Sequence, residues 1–424
     1  MSHPPAPSIP TLDLRRGRAP ADHARWRELC ARSVGLDGPA DDAARTIIAD
    51  VRARGDVAVA ELTRRFEGRA LTPGAFELDA STRAAASAEV PEDTRAALEL
   101  AARHVREFHR TQIPRSTGLE RAGGATRLES RVHPLRRVAV YAPGGTAAYP
   151  SSVLMTGIPA KVAGVDEVIL LTPRPSAVVL LAAELAEIDR VFAIGGAQAI
   201  AAAALGTESV PRVEKIVGPG NAYVTAAKRQ VFGLCDIDSI AGPSEVLVLA
   251  DAHADPELVA ADLIAQAEHD TLACPVLVTD APALRGAVRE ALGRQLAALP
   301  RADIARRALE DHGALALVDD RAAMIEAAND YAPEHLELLV ESPDELVPRL
   351  RTSGAIFVGA WTPEAAGDYT AGPSHVLPTA GAARFASPLG VWDFVKYTSV
   401  LRLAPETLRA QARAIATLAR AEGL

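Results

Sequence analysis

The sequence predicts an α/β protein: two Rossmann-like parallel-sheet domains, a helical N-terminal segment and a small C-terminal tail domain. Three observations predict it. Short apolar runs alternate with helical patterns twice, once from Val138 to Val231 and again from Glu245 to Gly359. Glycine-rich turns follow several of those runs. Aromatics make up 4% of a chain that is 49% hydrophobic, so Ala, Leu and Val must fill the core, which suits close helix–sheet layers. A length of 424 residues exceeds one ordinary core and implies two or three domains.

The elements follow in order. Residues 1–20 are Pro- and Arg-rich and read as a loose leader. From about Asp41 to Arg121 the pattern is largely helical, with breaks at Gly68 and Pro91. Strands are expected at Val138–Tyr141, Val168–Leu171, Arg190–Ile194 and Lys215–Val217. Helices are expected between and after them at Ser152–Ala163, Ala177–Ala186, Ala197–Ala204 and Ala222–Val231. Such alternation implies right-handed βαβ units. The second region is expected to carry strands Val246–Leu249, Pro275–Thr279, Ala314–Val318, Glu337–Leu339 and Ala355–Val358. Its helices are expected at Asp255–His269, Ala283–Leu299, Arg321–Tyr331 and Ser342–Arg349, with helices of 41–121 covering this second sheet. Strand-like Tyr397–Leu401 and a helix from Pro405 complete the tail.

Composition excludes several classes. The net charge is −9 and no basic patch stands out, which argues against nucleic acid as a partner. Cys30, Cys235 and Cys274 are scattered, with no CxxC pair, so neither a thiolate zinc site nor a disulfide framework is indicated. The first twenty residues lack the apolar stretch of a signal peptide, and no apolar run reaches membrane-spanning length. The expected location is the cytoplasm, with no membrane partner.

Three distant segments concentrate the chemistry. Gln266-Ala267-Glu268-His269 places two potential metal ligands three apart, on one face of the expected helix. Pro333-Glu334-His335-Leu336-Glu337 sets a carboxylate beside an imidazole, two distinct proton-transfer groups, in a connection stiffened by proline. Asp368 and His375 share a Gly- and Pro-dense stretch that reads as a shaped functional loop. The plainer readings are a polar helix end, a solvated loop and a surface Ω-loop. The turns Gly144-Gly145, Gly195-Gly196, Gly218-Pro219-Gly220 and Gly242-Pro243-Ser244 let a ligand approach the backbone. No G-x-G-x-x-G follows a strand, so ordinary dinucleotide binding is not demonstrated. A metal-dependent hydrolase would explain the Glu, His and Gln groups but not these turns.

Taken together, the motifs resemble the L-histidinol dehydrogenase family. The resemblance is carried by Val140-Tyr141-Ala142-Pro143-Gly144-Gly145-Thr146-Ala147-Ala148-Tyr149-Pro150, Gly195-Gly196-Ala197-Gln198, Gly218-Pro219-Gly220-Asn221 and Ala241-Gly242-Pro243-Ser244-Glu245. The three chemistry-bearing segments fall in family order with these, and the likeness spans roughly 28–424. It implies a homodimeric enzyme that oxidises L-histidinol to L-histidine through the aldehyde, in two NAD⁺-dependent steps, with zinc. By motif match, Gln266, His269 and Asp368 would hold zinc. His335 would be the general base, and Glu334 would activate the water that hydrates the aldehyde. Tyr141, Gln198 and Asn221 match cofactor-contacting positions. Ser244, His335, Asp368 and His375 match positions near the substrate, which the zinc ligands also touch. Glu422 matches a substrate contact supplied by a neighbouring subunit whose C-terminal segment is exchanged. In the family a further zinc-binding histidine follows shortly after Ala421-Glu422-Gly423-Leu424, whereas here no histidine follows His375. A relative acting on another small primary alcohol, or a weakened homologue, are the alternatives. The expected division is a leader or arm (1–27), a discontinuous first domain (28–137 plus 247–388), an inserted second domain (138–246) and a dimer-contacting tail (389–424).

Overall fold

The computed structural model describes residues 8–33, 35, 38–144 and 148–424. The first leader residues and Gly145, Thr146 and Ala147 of the first glycine turn lie outside them. Two six-stranded sheets carry the α/β architecture, and a three-stranded antiparallel sheet stands beside them.

One sheet is built from 137–237. Its order is Glu77–Leu78, Arg190–Phe192, Glu167–Leu171, Arg137–Tyr141, Lys215–Val217 and Asp236–Ile237, parallel except for the first strand. Its central strands are continuous apolar runs because helices cover both faces. The helix Gly196–Leu205 is rich in Ala and lies against the sheet with eight consecutive buried residues. Chain order reverses between Arg137–Tyr141 and Lys215–Val217. Open α/β sheets bind ligands at such a switch point, beyond the carboxyl ends of the strands. Tyr141 and Gly218 sit at that end.

Gly218 is tightly specified. Its φ is +114°, and a Cβ there would stand 2.2 Å from the Tyr141 carbonyl oxygen. Gly218→Ala is therefore expected to destabilise the protein by about 3 kcal/mol, the sum of strain and overpacking. Gly233→Ala is the control, since that glycine has φ +98° and nothing within 4 Å of a built Cβ. Equal shifts of the urea midpoint in the two variants would refute the clash argument.

The second sheet is parallel throughout. Its order is Thr11–Asp13, Ala314–Leu317, Cys274–Thr279, Glu245–Ala250, His335–Leu339 and Ala355–Val358. Asp255 and Asp320 cap the helices that follow two of its strands, accepting from the Glu257 and Ala323 N–H groups.

Several expectations are corrected. The leader is not loose throughout: Thr11–Asp13 pairs with Leu315–Leu317, and helix Pro20–Cys30 buries Trp26 and Leu29. The helices of 39–110 do not cover the second sheet. Ala44, Ile47 and Val51 pack on one face of the 137–237 sheet, and Leu98, Ala101 and Val105 on the other. Thr117–Arg121 is a strand, not helix, paired with Thr126–Pro134, which also pairs with Val395–Leu403. The single helix expected at Ala283–Leu299 ends at Leu296, and a second follows at Ala302–Asp311 after Pro300. The segment 342–349 forms two short 3₁₀ turns, as Pro343 and Pro348 interrupt the helical ladder. Among the described residues no helix is long and apolar enough to cross a membrane.

Candidate active site

A cavity of about 880 Å³ lies between the two six-stranded sheets. The 137–237 sheet contributes the carboxyl ends of its strands, with Tyr141, Gly218, Pro219, Gly220 and Asn221 on the wall. The other sheet contributes amino ends. Ser244 immediately precedes strand Glu245–Ala250, and Glu334 precedes strand His335–Leu339, which begins two residues earlier than the apolar pattern predicts. Gln266, His269, Asp368 and His375 complete the opposite wall. The three segments singled out in the sequence thus meet in one place.

His335 is buried, with its ring against Phe357 at a centroid distance of 5.8 Å. Its Nδ1 lies 3.0 Å from the Glu245 carbonyl oxygen. A carbonyl only accepts, so Nδ1 carries the proton and Nε2 keeps its lone pair. Burial pushes the imidazole pKa down to about 4. Glu334 is also buried, and burial pushes its carboxyl well above the usual range. The Glu245 N–H (2.9 Å) and the Ser244 hydroxyl donate to it and oppose that shift. The Glu334–His335 contact of 3.7 Å is consequently not an ion pair in this environment.

His375 donates from Nδ1 to the Asp368 carbonyl (3.1 Å), which leaves Nε2 to accept from the Ser152 hydroxyl (3.3 Å). Burial lowers its pKa as well.

The groups expected to ligate a metal converge differently from the helical-face argument. Helix Pro256–Ala267 ends before His269, which reaches the cavity from the turn that follows. Gln266 lies in the last helical turn with both amide atoms buried and without a hydrogen-bond partner among the described residues. Asp368 is on a short helix, Glu364–Tyr369, rather than in a loop. One ligand atom each from His269, Glu364 and Asp368 lies within 4.8 Å of the others. A carboxylate, an imidazole and an orphaned amide oxygen together fit a zinc ion. Glu364 was missed by sequence reasoning, although its i,i+4 spacing to Asp368 on one helix face was a usable signal.

Two candidates fall elsewhere. Gln198 is buried in helix Gly196–Leu205 and is not on the cavity wall. Glu422 is exposed beyond helix Pro405–Ala421, away from this chain's cavity.

The model of the family described as histidinol dehydrogenase matches residues 33–424. The chain belongs to the histidinol dehydrogenase family. It is 51% identical over 384 residues to histidinol dehydrogenase of Rhizobium meliloti, covering 90% of this chain and 88% of that protein. It is 48% identical to that of Aquifex aeolicus, covering 94% and 93%. Histidinol dehydrogenase of Elizabethkingia anophelis has a crystal structure that superposes with a TM-score of 0.91 at 32% identity, over 99% of this chain and 96% of that one. Membership in the histidinol dehydrogenase family makes the protein an oxidoreductase.

Proposed function

We propose that the protein oxidises L-histidinol to L-histidine in two successive NAD⁺-dependent steps, in the cytoplasm, as a zinc-dependent homodimer with exchanged C-terminal segments. The observation that carries this reading is the convergence of a neutral, Nδ1-protonated His335, Glu334, and the Gln266–His269–Asp368 group on one cavity.

Gln266, His269 and Asp368 are the residues that would hold zinc, with Glu364 against them. Zinc supplies, when bound, a Lewis-acid anchor for the substrate's imidazole and amine. NAD⁺ supplies the hydride acceptor, with Tyr141 and Asn221 on the wall that would receive it. His335 Nε2 takes the hydroxyl proton as hydride leaves the carbinol carbon, giving the aldehyde. Glu334, in its carboxylate form, takes a proton from the water that adds to the aldehyde, and the proton held by His335 passes to the carbonyl oxygen, which frees the ring to act as base again. The resulting gem-diol loses a second hydride and a second proton, again to His335. Ser244 holds Glu334 through a hydrogen bond, and His375 borders the same space.

The test is NADH formation from L-histidinol by the purified protein, with zinc added or chelated. Two NADH per histidinol, with histidine as product, is the expected stoichiometry. One NADH per substrate, or equal rates with and without chelator, would overturn the reading. A different small primary alcohol turned over faster than histidinol would replace the substrate.

A further inference from the structure

Glu334 and His335 are both held by the backbone of one residue, Glu245. The Glu245 N–H donates to Glu334 Oε2 at 2.9 Å, and the Glu245 carbonyl accepts from His335 Nδ1 at 3.0 Å. What fixes residue 245 therefore fixes both groups.

The Glu245 side chain is itself held. It is buried, 1% exposed, and does not reach the reacting space. Oε1 accepts from Arg32 Nε at 2.6 Å and from the Ala380 N–H at 2.8 Å. Oε2 accepts from the terminal nitrogen of Arg32. The same guanidinium donates to the Tyr331 carbonyl at 2.7 Å, the Leu29 carbonyl at 3.1 Å and the Ala332 carbonyl at 3.3 Å. It also stacks on the Tyr331 ring, 3.6 Å from the centroid. Tyr331 and Ala332 end helix Arg321–Tyr331 directly before Pro333-Glu334-His335, and Ala332 is left-handed at φ +53°. Arg32 thus joins the two segments that carry the pair, one through a carboxylate and the other through two carbonyls.

We infer that Arg32 and Glu245 are positioning residues for the Glu334–His335 pair, setting the ring tautomer and the register of the two groups. The inference rests on the functional reading of that pair given above. An ordinary buried ion pair needs only charge compensation. This one uses all five N–H groups of a planar fork, and a lysine ammonium has three donors in the wrong geometry. A shift of about 1 Å in a group that moves a proton costs about 100-fold in rate.

The test is Arg32→Lys, which keeps the charge. Histidinol oxidation is expected to lose about 100-fold in kcat with KM changed less than about threefold, because binding and chemistry use different groups. The second readout needs no substrate. Long-range ¹H–¹⁵N spectra of ¹⁵N-histidine protein are expected to show His335, assigned by its loss in His335→Asn, as the Nδ1–H tautomer. In Arg32→Lys that signal is expected to shift towards the Nε2–H form. An unchanged tautomer, or a kcat within about threefold of the parent, would overturn the clamp. If Arg32→Lys does not fold by circular dichroism, Glu245→Gln carries the same two expectations. A parent protein inactive on histidinol would remove the functional reading and leave the tautomer measurement to decide the clamp.

Discussion

His335→Asn is expected to reduce histidinol turnover by about 1,000-fold, within the range a positioned general base contributes. Asparagine is close in size to the inner half of the ring, and its amide N–H₂ can still donate to the Glu245 carbonyl that now accepts from Nδ1. The fold and the contact with Phe357 therefore change little, while the Nε2 lone pair disappears. Burial places the parent imidazole below its usual range, so the base is neutral at neutral pH. The sign follows from that. Acid removes this base by protonating the ring, and the ring's contribution to the acid limb lies below pH 6.5. The variant loses that limb and gains rate as hydroxide rises. Zinc content, measured in the same samples, is expected to be unchanged. Turnover within tenfold of the parent, or loss of metal along with activity, would count against His335 as the base.

The fold was legible where sequence and packing agree. Val138–Tyr141 and Val168–Leu171 are apolar throughout, and Ile216–Val217 continues the pattern after Lys215, because helices cover both faces, and the strands stand where those runs do. Thr126–Pro134 escaped because Thr-Arg-Leu-Glu-Ser-Arg-Val-His mixes charge with every apolar residue. It is a strand only because Val395–Leu403 and Thr117–Arg121 flank it, and those partners are far away or weak in sequence. Thr11–Asp13 is too short for any periodicity, and Leu12 alone anchors it in the second core. Which sheet the helices of 39–110 cover was equally invisible. Both sheets offer similar apolar faces, and only the three-dimensional path of the chain chooses between them.

The site was legible in its parts rather than its arrangement. Gln266, His269, Glu334, His335, Asp368 and His375 all reach one cavity. Residue type and close spacing marked them, in a chain with ten histidines. What spacing could not show is that one sheet presents carboxyl ends and the other amino ends to the same space. The backbone of Glu245 holds Glu334 and His335 together, and backbone atoms leave no mark on the sequence. Gln198 illustrates the converse. It stands in a matching motif, yet it is buried in helix Gly196–Leu205 and is not on the cavity wall.

Gln266→Leu separates a metal ligand from a structural residue by moving two measurements in opposite directions. Both polar atoms of the Gln266 amide are buried without a partner among the described residues. An unsatisfied buried amide costs about 1–3 kcal/mol, and an apolar side chain of similar volume removes that cost. The metal-free variant, prepared with chelator, is therefore expected to unfold at higher urea than the metal-free parent, by about 1–2 kcal/mol. Zinc affinity is expected to fall at least about 100-fold, since loss of a direct ligand should exceed the 10–100-fold cost of removing a supporting partner. Competition against a chromophoric chelator reads that change directly. The same comparison in saturating zinc should reverse the order of stability, because ligand bound only to the folded state adds RT ln(1 + [L]/Kd). A metal-free variant less stable than its parent would mean that the amide has a structural partner instead. Unchanged zinc affinity would remove Gln266 from the metal site and leave His269, Glu364 and Asp368 to form it.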